Sequence, residues 1–168
     1  MASKKGGERM IAQDFEYYKP DSVKEAVQTY SHLKSLGKKP LYYGGGTEII
    51  TMCRAGTLSC GAVIDIKGIQ ECRELGFCGD SLCIGSGVTL TDINESKMFP
   101  VLGAVGARVA DHSVQGKITL GGNLAGTIIY RETVLPLLLC DAIASVAGLG
   151  RPGELHEVPL KDVFTNGR

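Results

Sequence analysis

Two glycine clusters contain the residues whose spacing is best suited to chemistry. The first, GGGTE at residues 44–48, follows the apolar run LYY and precedes a second apolar segment. Glycine permits a sharp turn, and the N–H groups of a first helical turn lack internal partners and favour an anion. A strand, a glycine turn and a helix start together predict a phosphate cradle. No Gly-Lys-Ser/Thr follows, which excludes the P-loop of nucleotide hydrolases.

The second cluster, ITLGGNLAG at residues 118–126, repeats this arrangement and adds Asn123, whose side chain both donates and accepts hydrogen bonds. We expect the two turns to come from two lobes and to face each other across a cleft that holds a pyrophosphate. Oriented backbone amides supply the positive charge in such a site. An ordinary tight turn is the alternative at each cluster. Because both clusters follow a strand, ligand binding is favoured over two ordinary tight turns.

Other motifs give weaker signals. GLGRPG at residues 148–153 matches the dinucleotide pattern G-x-G-x-x-G, but Pro152 and the following ELHEVPL predict a hairpin turn instead of the required helix. The six cysteines contain no C-x-x-C pair and no flanking histidine, so we expect no metal site. The three histidines share no ligand spacing. We assign turn and capping roles to Asp65 and Asp92.

Charge and hydropathy exclude two classes of partner. Lys+Arg and Asp+Glu both number 18, and this zero formal charge argues against a nucleic-acid partner. The start, MASKKGGERM, is charged and has no apolar run behind it, so we expect no secretory signal. The most apolar stretch, VLPLLLCDAIASVAGLG, is interrupted by Pro136 and Asp141 and is too short to span a bilayer. We therefore expect a cytoplasmic protein without a membrane partner.

The pattern of elements predicts two lobes after a flexible tail at residues 1–12. Residues 13–67 alternate strand, helix, strand, glycine turn, helix and strand, which is a small α/β lobe. Ser22 and Glu25 form a capping box for the first helix, Thr47 caps the second, and Thr91 caps a later helix around TDINES. Residues 68–168 predict a second, α+β lobe, with a hairpin in GFCGDSLCIGSGVTL and a brief strand at ITL.

Five motifs in register resemble one family. GGGTE, AVIDIKGI, LCIGSGVTLTDI, VQGKITLGGNLAG and VLPLLLCDA occur in this order between Phe15 and Phe164. They are similar to the FAD-binding subunit of the molybdenum hydroxylases, which include xanthine dehydrogenase and aerobic carbon monoxide dehydrogenase. The resemblance implies an α+β, two-lobed FAD-binding fold of the vanillyl-alcohol oxidase and p-cresol methylhydroxylase type. The family's further C-terminal domain of about a hundred residues is expected to be absent.

The resemblance also implies a set of FAD-binding residues. From the first lobe these are Tyr43, Gly44, Gly45, Gly46, Thr47, Glu48 and Ile49. From the second lobe they are Val109, Thr119, Gly121, Gly122, Asn123, Leu124, Thr127, Ile128 and Glu132. The pyrophosphate would lie between the two glycine clusters, and Glu132, where the family usually has Asp, would accept a hydrogen bond near the ribityl chain or flavin ring. Lys117 and Arg131 are the cations nearest the second cluster.

The implied function is electron transfer through FAD. Electrons would reach the flavin from 2Fe–2S clusters on a ferredoxin-like subunit, after a molybdopterin-binding subunit has oxidised the substrate. They would leave to NAD or another acceptor. The flavin carries the chemistry, so we assign no acid–base catalytic residue. Two alternatives stay open at this point: a flavin-free assembly module of such a complex, and a stand-alone flavin oxidase.

Overall fold

A three-stranded parallel sheet between two helices forms the first unit of the structure, a computed structural model that describes residues 13–127, 131–148 and 150–164. Its elements follow the predicted order: β1 Glu16–Tyr18, α1 Val23–Ser35, β2 Pro40–Tyr43, α2 Thr47–Arg54 and β3 Ala62–Asp65. The strand order is β1-β3-β2, with both pairs parallel. The predicted tail at residues 1–12 lies outside the described residues.

The central strand β3 supplies apolar side chains to both faces of this sheet. Successive residues of a strand point to opposite faces, and all four residues of β3 are buried. Ala62 and Ile64 pack with Leu33 of α1, whereas Val63 packs with Cys53 of α2. The two helices therefore cover opposite faces. All three parallel strands end at the same edge of the sheet, where Gly44 follows β2.

The first helix begins and ends as its sequence predicts. Ser22 Oγ accepts a hydrogen bond from the Glu25 amide at 3.2 Å. The return bond of the capping box comes to the Glu25 carboxylate from the amide of Asp21, at 3.0 Å, rather than from Ser22. Gly37, just beyond the helix, has a φ of 73°, a left-handed conformation that glycine adopts without strain.

Short helices and two hairpins form the second unit. Its apolar core contains Val88, Leu90, Ile93, Leu102 and Leu120. The elements in order are α3 Gln70–Arg73, β4 Leu75–Cys78, β5 Ser81–Ile84, α4 Leu90–Ser96, α5 Pro100–Gly106, α6 His112–Gln115, α7 Leu120–Ala125, α8 Val134–Leu139, β6 Ile143–Ala147, β7 Leu155–Pro159 and α9 Leu160–Val163. Strands β4–β5 and β6–β7 are antiparallel pairs. The predicted lobe boundary at residue 67 stays a prediction.

Three local predictions are wrong in detail. Thr91 does not cap α4, because Thr89 does so in a full capping box with Asp92. Thr47 is the first residue of α2, and Gly46 occupies the cap position. The brief strand at ITL is reduced to a single antiparallel bridge between Thr89 and Thr119. The first two differences shift a helix start by one or two residues, whereas the third depends on pairing between distant segments, which local pattern does not report.

The hairpin prediction for GLGRPG is confirmed, since β6 and β7 pair antiparallel on either side of it. Gly148 and Gly153 there have positive φ values of 92° and 88°, which suits a turn rather than a helix start. None of the helices in the described part of the chain has the length and apolar character that crossing a membrane demands.

The assignment of the α4 cap is testable by mutation. Thr89→Ala removes the hydroxyl that accepts from the Asp92 amide at 3.1 Å, and we expect a loss of about 1 kcal/mol in unfolding free energy. Thr91→Val is the matched control, because Thr91 Oγ1 is buried and has no hydrogen-bond partner among the residues that the structure describes, so its removal is expected to be neutral or slightly stabilising. Urea unfolding measures both. A larger loss for Thr91→Val than for Thr89→Ala would contradict the assignment.

Candidate functional site

The two glycine clusters contact each other directly. A Cβ on Gly44 would lie 2.6 Å from Thr119 Oγ1, and a Cβ on Gly45 would collide with the main-chain carbonyl of Lys117. The first two glycines therefore allow the loop after β2 to approach the segment before α7. At these two Cβ positions protein atoms of the second segment, and not an open cleft, occupy the space.

Gly46 has a different role within the same loop. Its φ is 71°, and a Cβ there would collide with the ring of Tyr43. Glycine adopts this left-handed conformation without strain, which turns the chain directly from β2 into α2. The Tyr43 ring packs with the buried cluster of Cys53, Cys60 and Val63. Ile49 packs against the same cluster. Tyr43 and Ile49, both predicted site residues, therefore anchor the two ends of the loop in the core of the first unit.

The first cluster presents a row of uncommitted amides. Ile50 is the first residue of α2 whose N–H donates inside the helix, to the Gly46 carbonyl at 2.9 Å. Within the described residues, none of the N–H groups at positions 44–49 donates a hydrogen bond, and no side chain caps the helix. Such groups at a helix N-terminus carry partial positive charge and suit an anion. The half-buried loop thus has the donors that the sequence predicted.

The second cluster is not equivalent, because its amides are committed within the chain. The Gly121 N–H donates to Ser86 O at 2.9 Å, and the Asn123 N–H donates to Thr119 O at 2.9 Å. The Gly122 N–H donates to the capping hydroxyl of Thr119 at 3.1 Å. A Cβ on Gly121 would lie 2.7 Å from Ser86 Cβ. These glycines therefore pack α7 closely, and their contact with a cofactor stays a prediction.

Glu48 connects the two units. Its Oε1 accepts hydrogen bonds from the amide and the hydroxyl of Thr127, at 2.8 and 2.5 Å. A Cβ on Gly126 would lie 2.5 Å from Oε2, so the carboxylate fits closely against this segment. An acceptor-only carboxylate that faces a neighbouring chain segment acts as a tie between the units, and Glu48 is better placed for that than for a phosphate oxygen.

Asn123 fixes the segment that carries Glu132. Asn123 Oδ1 accepts from the hydroxyl of Thr133 at 2.6 Å and from its amide at 3.3 Å. Thr133 is fully buried, and the neighbouring Glu132 has a buried Oε2 with no hydrogen-bond partner among the described residues. A buried carboxylate oxygen without a partner is costly unless a ligand satisfies it. This orphaned acceptor suits a hydroxyl or N–H donor of a bound molecule.

The other predicted site residues lie around these segments. Val109 and Leu124 pack against the core of the second unit, and Thr127 is exposed beside Glu48. The Arg131 guanidinium lies over the Phe164 ring at 5.2 Å. Ile128 is outside the described residues.

Lys67 is the charged residue that sequence reasoning missed. Its ammonium donates to the Gly44 carbonyl at 3.0 Å and to Asp65 Oδ2 at 2.8 Å, and it lies 4.5 Å from the centroid of the Tyr43 ring. Since β2 and β3 are parallel neighbours, the residues that follow them meet at one edge, and this signal was present in the sequence.

A groove of about 510 Å³ opens beside Lys67 and is also lined by Arg73, Leu75 and Val88.

Asp65 anchors this cation. Burial raises the pKa of the Asp65 carboxyl, but hydrogen bonds from the Lys67 ammonium, the Tyr17 hydroxyl and the Lys67 amide outweigh burial and hold that pKa below its usual value. The Tyr17 hydroxyl donates at 2.5 Å, and the same hydrogen bond raises the pKa of Tyr17. The carboxylate, at the end of β3, is thus ionised and is held by donors from Tyr17 of β1 and from Lys67.

The chain matches a known family and several known proteins. Residues 13–168 match the family described as FAD binding domain in molybdopterin dehydrogenase. The carbon monoxide dehydrogenase medium chain of Hydrogenophaga pseudoflava is 31% identical over 120 residues, which cover 69% of this chain and 41% of that protein. The nicotinate dehydrogenase FAD-subunit of Eubacterium barkeri is 24% identical over 159 residues, 90% of this chain and 51% of that protein.

A solved structure shares the fold. Carbon monoxide dehydrogenase from Hydrogenophaga pseudoflava, in a form that lacks the Mo-pyranopterin moiety of the molybdenum cofactor, superimposes with a TM-score of 0.81 at 26% identity. The match covers 91% of this chain and 53% of that chain. The chain spans about half the length of the curated relatives it matches.

The close approach of the first loop to the second unit is testable with alanine. Gly45→Ala forces a methyl group against the Lys117 carbonyl, and we expect a loss of about 1–3 kcal/mol in unfolding free energy. Gly76→Ala is the control, since a Cβ at this β4 position meets nothing within 4 Å and is expected to stabilise by up to about 1 kcal/mol. Equal urea midpoints for the two variants would exclude the close contact.

The anchoring of Asp65 predicts a dependence of stability on pH. Because its pKa is lowered in the folded state, the stabilisation is complete above the unfolded pKa of about 3.9 and is lost as the pH falls through the folded value. We expect Asp65→Asn to be less stable than the wild type at pH 6, with the gap narrowing below about pH 4. Urea midpoints across pH measure the gap. A gap that stays constant between pH 6 and 3 would contradict the ionised anchor.

Proposed function

The chain belongs to the family of FAD binding domains in molybdopterin dehydrogenases, and from this premise we propose that its row of uncommitted amides at residues 44–49 receives the pyrophosphate of FAD. Membership in the family confirms two predictions, the PCMH-type FAD-binding fold and FAD as the cofactor. It also supports the proposed assignment to the oxidoreductases of the molybdenum hydroxylase type.

The residues present fit this cofactor in two respects. The amides at residues 44–49 have no acceptor among the described residues and lie at a helix N-terminus. Such amides can bind an anion without a lysine or arginine side chain that contacts it. Glu132 Oε2 is buried with no partner in the described part of the chain, and it is fixed near the second cluster through Thr133 and Asn123. It would accept from a ribityl hydroxyl or a flavin N–H. The uncommitted amides are the observation that carries the proposal.

Each part of the site performs a separate task in this proposal. The first loop binds the diphosphate through backbone donors, Glu48 and Thr127 hold the two units in register, and Glu132 orients the sugar or flavin end. The second glycine pair contributes close packing, with Gly121 against Ser86. When bound, FAD supplies the transfer of electrons. No side chain of this chain needs to act as an acid or base.

The wider role proposed is that of the flavin unit in a multi-subunit molybdenum dehydrogenase. The relatives are named as a medium chain and as an FAD-subunit, which supports a complex of several subunits. The partners proposed here are a molybdopterin-binding subunit and a ferredoxin-like subunit with 2Fe–2S clusters. Electrons would enter FAD from the clusters and leave to NAD or another acceptor. The substrate of the molybdenum partner belongs to that partner's own site.

A comparison of flavins tests the anchoring role of the diphosphate. We expect the purified chain to bind FAD with quenched flavin fluorescence, and to bind riboflavin at least about a hundredfold more weakly, because riboflavin lacks the anion that the amides receive. Inorganic pyrophosphate should compete with FAD. FMN, with one phosphate, is expected to fall between the two flavins.

Two outcomes would contradict the proposal. Equal affinity for FAD and riboflavin would place the binding energy on the flavin ring and leave the amides without a role. Absence of FAD binding by a folded chain, verified by circular dichroism, would favour a flavin-free assembly role.

A further inference from the structure

Lys67 is held in one place by three neighbours. Its ammonium donates to the Gly44 carbonyl and to Asp65 Oδ2, and it lies over the Tyr43 ring. The Asp65 carboxylate is itself fixed, since it also accepts from the Tyr17 hydroxyl at 2.5 Å and from the Lys67 amide at 2.9 Å. The Lys67 side chain is 45% exposed, whereas that of Asp65 is 7% exposed. A rigid, buried anchor therefore fixes a cation at the surface.

The hydrogen bond to Gly44 determines the direction of the next amide. A trans peptide is planar, with its C=O and N–H pointing in opposite directions. Because the Gly44 carbonyl points to Lys67, the N–H of Gly45 points away from Lys67. That N–H is one of the amides with no acceptor among the described residues.

The peptide between Gly44 and Gly45 has little intrinsic resistance to rotation. Both flanking residues lack a Cβ, so each visits regions of φ and ψ that other residues avoid. A half-turn of this peptide would replace the N–H donor of the anion site by a carbonyl oxygen. The partial negative charge of the carbonyl oxygen would then face the negative charge of the phosphate, and the loop would repel the phosphate instead of binding it.

We propose that Lys67 locks the Gly44–Gly45 peptide in the orientation that directs the Gly45 N–H into the anion site. Lys67 is thus a positioning residue that acts through the Gly44 carbonyl, with Asp65 and Tyr17 holding it in place. The identity of the anion, the diphosphate of FAD, rests on the proposed function. The orientation of the peptide does not, because the hydrogen bonds that set it lie within the chain.

The test combines a geometric and a binding measurement on the full chain. The variants are Lys67→Met, Lys67→Gln and the conservative Lys67→Arg, with Lys161→Met on α9 as an exposed lysine that removes the same charge. Residual dipolar couplings of the Gly45 N–H in the glycine-labelled, FAD-free chain report the direction of this amide. Fluorescence titration with FAD reports affinity.

We expect the coupling of the Gly45 N–H to change or average in Lys67→Met and Lys67→Gln, and to be retained in Lys67→Arg and Lys161→Met. Affinity for FAD should fall about tenfold in the two neutral variants, the effect of losing one well-oriented donor. It should recover to within about threefold of the wild type in Lys67→Arg. The two neutral variants differ in shape, so that a folding defect in one leaves the other informative.

An unchanged Gly45 coupling in folded Lys67→Met or Lys67→Gln would overturn the lock. If FAD binding is nevertheless weaker in that variant, Lys67 acts as a simple charge. If the wild type binds no FAD, the proposed function fails, and the coupling measured without FAD still decides whether Lys67 orients the peptide.

Discussion

The structure of the site depends on one close backbone contact, between the glycine loop after β2 and the segment that leads into α7. Gly44 packs against Thr119 and Gly45 against the carbonyl of Lys117, at distances that a side chain would prevent. This contact joins the parallel sheet of the first unit to the helices of the second. The Glu48–Thr127 hydrogen bonds reinforce the same junction from the first turn of α2.

The two glycine clusters use the same residue for different physical reasons. In the first, glycine gives a left-handed turn at Gly46 and close packing at Gly45, and the amides are left without partners. In the second, Thr119 caps a helix, and Gly121 brings that helix against Ser86. Their amides are already bonded. Similar sequence patterns therefore provide a donor array on one side and its structural support on the other.

The sequence predicts well those features that depend on near neighbours along the chain. The cap at Ser22, the buried strand β3, the hairpins and the α/β order all follow from local pattern. The capping box of Thr89 and Asp92 was also visible as T-x-x-D, although the position of Thr91 equally suggests that it caps the same helix. Local pattern does not report pairing between distant segments. Such pairing reduces the predicted strand at ITL to a single bridge and brings Lys67 to Gly44. The orphaned oxygen of Glu132 depends on such packing as well.

The central claim is that the first glycine cluster binds the diphosphate with its backbone amides while the second supports it. Nitrogen–proton correlation spectra of the chain during titration with FAD measure this most directly. The account predicts large downfield amide proton shifts at residues 44–49 and small shifts at residues 121–123, whose amides are already bonded within the chain. Bound FAD with the large shifts at residues 121–123 and none at residues 44–49 would contradict it.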